Sequence, residues 1–232
     1  VSGICCVFLF KPRILIVDWQ FMLAQVPDYL AATWTMLQVG LVAIAIAVVI
    51  ATINATVLYL PLPFLHKLIR AYVELGRNTP LLIQLFLLYF GLPSVGILLS
   101  PELCAVLALS FLGGAYFTEV FRAGFYTLAQ TQQQAALALG LSSSQVLRYV
   151  LWPQVWSRQL PASAATGCFL LRETTVVSAI AVPEIMYTTT NGIALYYTTY
   201  EFLTLMTVFC LLVFLPLSYG LKKLEQRLHY AH

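Results

Sequence analysis

Arg172 and Glu173 stand side by side in an otherwise apolar stretch, and the hydroxyls of Thr174 and Thr175 follow at once. An ionised side chain at bilayer depth costs about 3 kcal/mol or more unless it meets a cavity or a partner. Two uses fit such residues: they present polar groups to a solute crossing the membrane, or they hold neighbouring helices together. Glu119 and Arg122 are three residues apart, hence neighbours on one helix face. They read first as a structural ion pair anchoring the end of a helix, and second as a solute contact. Glu184, just past Pro183, reads as a solvated loop carboxylate. A general base at Glu173 or Glu119 would make the chain an intramembrane enzyme, but neither has a second catalytic group at a recognisable spacing.

Other reactive chemistry is missing from the sequence. Cys5-Cys6, Cys104, Cys168 and Cys210 show no metal-ligand spacing and read as small buried hydrophobes. His66, His229 and His232 belong to loops or tails, without an H-E-x-x-H arrangement, and no Gly-x-Ser-x-Gly elbow occurs. There is no G-x-x-x-x-G-K-[ST] phosphate loop, so any ATP and magnesium would be bound by another polypeptide. The net charge of +3 follows from basic loops and calls for no nucleic acid.

The elements that carry these residues are membrane helices. With 61% hydrophobic and 9% charged residues and a mean hydropathy of +0.88, the chain has too little polar surface for a soluble globule and must contact membrane lipid. A spanning helix takes about 20 apolar residues. Five such segments are expected, at residues 30–58, 80–99, 102–123, 160–181 and 202–221. Ser100-Pro101-Glu102 supplies a cap, a first-turn proline and a favourable anion, and Thr79-Pro80 and Leu160-Pro161 place proline at helix starts in the same way. Gly91-Leu92-Pro93 and Val182-Pro183 are natural breaks. Tyr196, Tyr197 and Tyr200 read as anchors at the outer interface.

Basic residues set the orientation. Lys67, Arg70 and Arg77 fall between spans one and two, Arg122, Arg148 and Arg158 between three and four, and Lys222, Lys223 and Arg227 after span five. That side is cytoplasmic, which puts the amino terminus outside and the carboxyl terminus inside. Val1 to Phe10 is apolar but too short to span, and Lys11-Pro12-Arg13 follows it. Residues 1–28 are therefore expected as an extracytoplasmic or interfacial segment, 29–228 as one transmembrane domain, and 229–232 as a cytoplasmic tail.

The cytoplasmic loop at 128–153 has its own chemistry. Thr131 and Gln134 have capping-box spacing, so a short helix is expected to begin near Gln132 and to end at Gly140; Ser142 and Gln145 repeat the spacing before Val146, Leu147 and Val150. Ala135 and Ala136 are small and let another protein approach closely.

The stretch Gln134-Ala135-Ala136, Gly140-Leu141, then Val150, Trp152 and Pro153 resembles the EAA signature of the permease subunits of ATP-binding-cassette (ABC) importers, with Gln in place of Glu. Glu74-Leu75-Gly76-Arg77-Asn78-Thr79-Pro80-Leu81-Leu82-Ile83-Gln84-Leu85, Ala115 to Gly124, and Leu171-Arg172-Glu173-Thr174-Thr175-Val176-Val177 are similar, in order, to three segments of the polar amino acid branch; Asn78 and Ala123 replace glycines.

The resemblance implies an all-α integral membrane protein of the type I importer permease fold, with five transmembrane helices and a short cytoplasmic coupling helix. It implies a bacterial inner-membrane location and transport by alternating access. The implied partners are a cytoplasmic ABC ATPase dimer, which holds ATP and magnesium, a second permease, identical or homologous, and an extracytoplasmic amino-acid-binding protein. Arg172, Glu173, Thr174 and Thr175 become candidates for the amino acid's path. A channel or purely structural subunit would show the same five apolar spans without a stoichiometric ATPase.

Overall fold

The computed structural model describes residues 18–229. The apolar run Val1–Phe10, the Lys11-Pro12-Arg13 tract, Cys5-Cys6 and residues 230–232, with His232, lie outside the described residues. Among those described, the chain is helical throughout, with no strand.

Helix α1 runs from Trp19 to Tyr59. It starts well before residue 30 because the Asp18 carboxylate caps it, accepting from the backbone N–H of Gln20 and Phe21 at 3.1 Å each. The 28/29 boundary expected from sequence therefore falls inside this helix. Helix α4, Pro101–Ala138, starts as its sequence announces: Ser100 Oγ accepts from Leu103 N at 3.2 Å, with Pro101 and Glu102 in the first turn.

Helices α1 and α4 form the central pair. Gly40, Ala43, Ala47, Ala51 and Ala55 recur along one buried face of α1. A Cβ on Gly113 of α4 would come within 2.9 Å of the Ala47 Cβ and 2.5 Å of a Leu170 methyl, so the backbones are as close as small residues allow. In lipid, where apolar side chains gain little by leaving the solvent, such close approach is the main source of helix association.

Helix α2, Pro63–Asn78, and α3, Leu81–Val95, meet at an angle of 104° across Thr79-Pro80. The α2 segment was expected to be a basic loop; it is an amphipathic helix that buries Ile69, Val73 and Gly76. The expected span at 80–99 is the shorter α3, which passes through a π turn at Leu87–Gly91 and a 3-10 turn at Leu92–Val95. The chain then doubles back into α4.

Helix α5, Ser143–Ile180, and α6, Ile185–Tyr196, are bent by 41° at the Val182-Pro183 break. The latter was expected to be loop. Pro161 does not start a helix but lies within one, which membrane helices tolerate because neighbouring elements re-satisfy the freed carbonyl. Helix α7, Thr199–His229, closes the described chain. Three helices (α1, α4, α7) are long and apolar enough to cross a membrane alone, and the count rises to five if each bent pair is one span.

A second, smaller core joins α1, α6 and α7. At its centre the buried Tyr29 hydroxyl donates to Phe202 O at 3.0 Å and shares a 2.8 Å hydrogen bond with Thr189 Oγ1.

Candidate functional site

The turn between α4 and α5 is built by three local devices. Helix α4 does not break at Thr131, so no new helix begins near Gln132. Between Phe125 and Leu139 the sequence holds neither glycine nor proline, and alanine, leucine and glutamine favour continuing the helix over accepting a cap. At 1.5 Å per residue the 38 residues of α4 reach about 57 Å, against a hydrocarbon core of about 30 Å. Its last turns therefore project beyond the bilayer.

The helix ends where Gly140 takes φ +83°. Gly140 N donates to Leu137 O at 2.9 Å and Leu141 N to Ala136 O at 3.2 Å, the pair of bonds of a Schellman motif. Two residues on, Ser142 N donates to Gln145 Oε1 at 2.8 Å and Gln145 N to Ser142 Oγ at 3.4 Å, a complete capping box.

This reversal divides the motif residues into a tip and an anchor. Gln134, Ala135 and Gly140 are exposed at the tip, Leu141 is half-buried and Ala136 is buried. Sequence reasoning missed two tip residues, Leu137 and Leu139; Leu139 is 83% exposed. The signal was available, since each precedes the reversal by one to three residues on a helix that has left the bilayer. In the anchor, Val146, Leu147 and Leu151 are buried and Val150 is half-buried, while Pro153 is exposed. Trp152 lies edge-on to Phe121 and Phe125 of α4 and donates from Nε1 to Thr56 Oγ1 of α1 at 3.1 Å.

The four candidate path residues are adjacent on α5 but do not converge. The Arg172 guanidinium lies over the Phe214 ring of α7 at 5.6 Å. Glu173 is half-buried and forms no ion pair among the described residues. Thr174 Oγ1 donates to Leu171 O at 2.7 Å and Thr175 Oγ1 to Arg172 O at 3.0 Å, so both hydroxyls serve the 3-10 turn that begins there.

Glu119 is the charged centre of a separate cleft. Arg122 Nη2 and Nε donate to its two oxygens at 2.7 and 3.1 Å, and Arg77 Nη1 of α2 approaches to 3.8 Å. Arg77 also lies over the Tyr116 ring at 5.4 Å. The bend that delivers Arg77 is fastened by the buried Gln84, whose two Nε2 hydrogens are shared among Thr79 Oγ1 at 2.7 Å, Thr79 O at 3.0 Å and Gly76 O at 3.1 Å.

Glu184 corrects an expectation. It is fully buried rather than solvated, and its carboxylate caps α6 by accepting from Met186 N at 2.9 Å and Tyr187 N at 2.8 Å. A carboxylate that looks like a loop residue is recruited because the following segment is a helix with orphan N–H groups. Cys104 and Cys168 are buried free thiols, Cys210 a half-buried one.

Comparison with known proteins places this arrangement. The family described as "Binding-protein-dependent transport system inner membrane component" matches residues 43–229. The chain is 32% identical over 175 residues to the probable amino-acid permease protein YxeN of Bacillus subtilis, covering 72% of this chain and 76% of that protein. It is also 32% identical over 171 residues to the probable glutamine ABC transporter permease protein GlnP of the same organism, covering 72% and 78%. Among solved structures, the crystal structure of an amino acid ABC transporter with histidines superposes with a TM-score of 0.84 at 27% identity, covering 91% of this chain and 99% of that one.

Proposed function

The chain belongs to the family of binding-protein-dependent transport system inner membrane components, and on that premise we propose that its α4–α5 turn is where an ATPase drives it. It is a membrane permease subunit of an ABC importer, a transport component rather than an enzyme. The family works with an ATPase and a substrate-binding protein. In this reading the ATPase is a cytoplasmic dimer that binds ATP and magnesium. A second permease, identical or homologous, completes the path, and an extracytoplasmic protein delivers polar amino acids of the glutamine type. The relatives' names support that substrate class.

The observation that carries the coupling role is the reversal itself. Gln134, Ala135, Leu137 and Leu139 are exposed at a helix end that extends past the hydrocarbon core. Nothing else in the described chain occupies that surface. Closure of the ATPase dimer on ATP draws two such tips together, tilts the attached helices and exchanges inward for outward access. The carboxyl terminus lies inside and the amino terminus outside, supported by the basic residues of α2 and of the α4–α5 and carboxyl-terminal segments. Copurification with a stoichiometric ATPase, together with labelled glutamine uptake by vesicles loaded with or without ATP, tests the reading. Uptake indifferent to internal ATP, or a complex without an ATPase, overturns it.

A further inference from the structure

We propose that the cleft between α2 and α4 is a binding site for the carboxylate of the passing amino acid, on the same side of the bilayer as the α4–α5 turn. This rests on the permease reading and assigns a second polar station, distinct from Arg172 to Thr175. The cleft encloses about 430 Å³ and is lined by Arg70, Glu74, Arg77, Asn78, Glu119 and Arg122, among others. Glu119 lies 18 residues into α4, about 27 Å from the start of that helix and so close to one edge of a core of about 30 Å. A carboxylate within the core rarely faces lipid and instead lines the bundle interior or a water-filled passage. Among the described residues only Leu58 of α1 adds to the lining from outside α2 and α4, and the side chains of Arg77 and Arg122 stay 44% and 50% exposed.

The charges leave room for one more anion. Arg122 takes both oxygens of Glu119 in a bidentate pair, whereas Arg77 reaches Glu119 only at 3.8 Å and keeps donors free. Among the described residues Arg70 forms no ion pair, and three guanidinium groups face two carboxylates around the cleft. The forked donors of Arg77 and Arg70 match a carboxylate, while Glu74 is left to meet an ammonium group. Tyr116 and Gln84 hold Arg77 in place through its ring contact and through the bend that presents it.

The test uses the complete transporter in vesicles, with Asn78→Cys as a reporter in the cleft and the wild-type chain as the labelling background. A membrane-impermeant thiol reagent is applied from the side of the α4–α5 turn in the absence of nucleotide. L-Glutamine slows labelling several-fold, whereas L-glutamine methyl ester, which lacks the free carboxylate, does not. Arg77→Gln weakens the protecting affinity about tenfold or more, the effect of losing one charge-assisted hydrogen bond, and Arg77→Lys recovers part of it. Labelling that ignores L-glutamine overturns the proposal, as does a cleft unreachable by the reagent. So does protection that follows the anionic lipid content of the vesicle instead of the amino acid. ATP-driven glutamine uptake is measured on the same preparation: uptake without protection sinks this site alone, whereas no uptake by the wild-type transporter sinks the permease reading for that substrate.

Discussion

The Trp152 indole N–H meets Thr56 Oγ1 at 3.1 Å, joining two residues 96 positions apart. The contact ties the start of the returning helix α5 to the end of α1, immediately behind the α4–α5 turn. Trp152→Phe keeps an aromatic ring against Phe121 and Phe125 but removes the hydrogen bond. We expect a loss of about 1 kcal/mol, read as a lowered Tm of the detergent-solubilised complex, and a lower ratio of amino acid imported to ATP hydrolysed. Trp152→Ala, which also empties the ring's site, costs about 3 to 5 kcal/mol.

Gly140 at φ +83° makes a second prediction. A β-branched side chain there costs about 1 to 3 kcal/mol of backbone strain and moves the tip. Gly140→Val abolishes uptake while the chain still inserts, measured by vesicle uptake beside immunoblotting of membranes; Gly140→Asn, which tolerates the left-handed region, retains most of it. Normal uptake by Gly140→Val removes the docking role.

Ala135 is exposed beside Gln134 at the tip. Ala135→Trp leaves α4 helical, since the site faces away from the protein, yet blocks close approach of a partner. Uptake and ATPase copurification fall together, while the thermal stability of the chain stays within about 0.5 kcal/mol. Gln134→Glu preserves length and hydrogen bonding and is tolerated in the same assays.

Glu173 tests the amino acid path on α5. Glu173→Gln keeps its shape and removes its charge, and we expect reduced uptake together with reduced substrate-stimulated ATP hydrolysis. Unchanged values for both assign Glu173 a structural role.

Part of this architecture was legible in the sequence because it rests on local chemistry. The Ser100 cap with Pro101, the Gly140 stop and the Ser142–Gln145 box each need only residues within a few positions, and all three occur in the structure. The start expected at Thr131 fails by the same reasoning: cap spacing competes with helix continuation, and without a preceding glycine or proline the helix wins. Helix α2 was legible too, since Lys67, Arg70, Glu74 and Arg77 recur every three or four residues on a different face from Ile69, Val73 and Gly76, the pattern of an amphipathic helix that counting the basic residues as loop markers passes over. Helix α6 was hidden by its threonines, Asn191 and Gly192, although Glu184 already stood at capping distance from Tyr187. The Glu119–Arg122 pair was legible from its three-residue spacing, whereas the approach of Arg77 from α2 comes with a 104° bend that no spacing along the chain encodes.

The unbroken hydrogen-bond ladder of α4 has a mechanical corollary. At Gly113 it is gripped between Ala47 of α1 and Leu170 of α5, about 18 Å from the Pro101 end and about 38 Å from the Ala138 end at the helical rise. A stiff oar held there as in a rowlock swings its short arm opposite to its long one, at about half the amplitude. A displacement of the blade near Leu139 reaches the far face of the membrane reversed in direction and about halved, and the force behind it is about doubled.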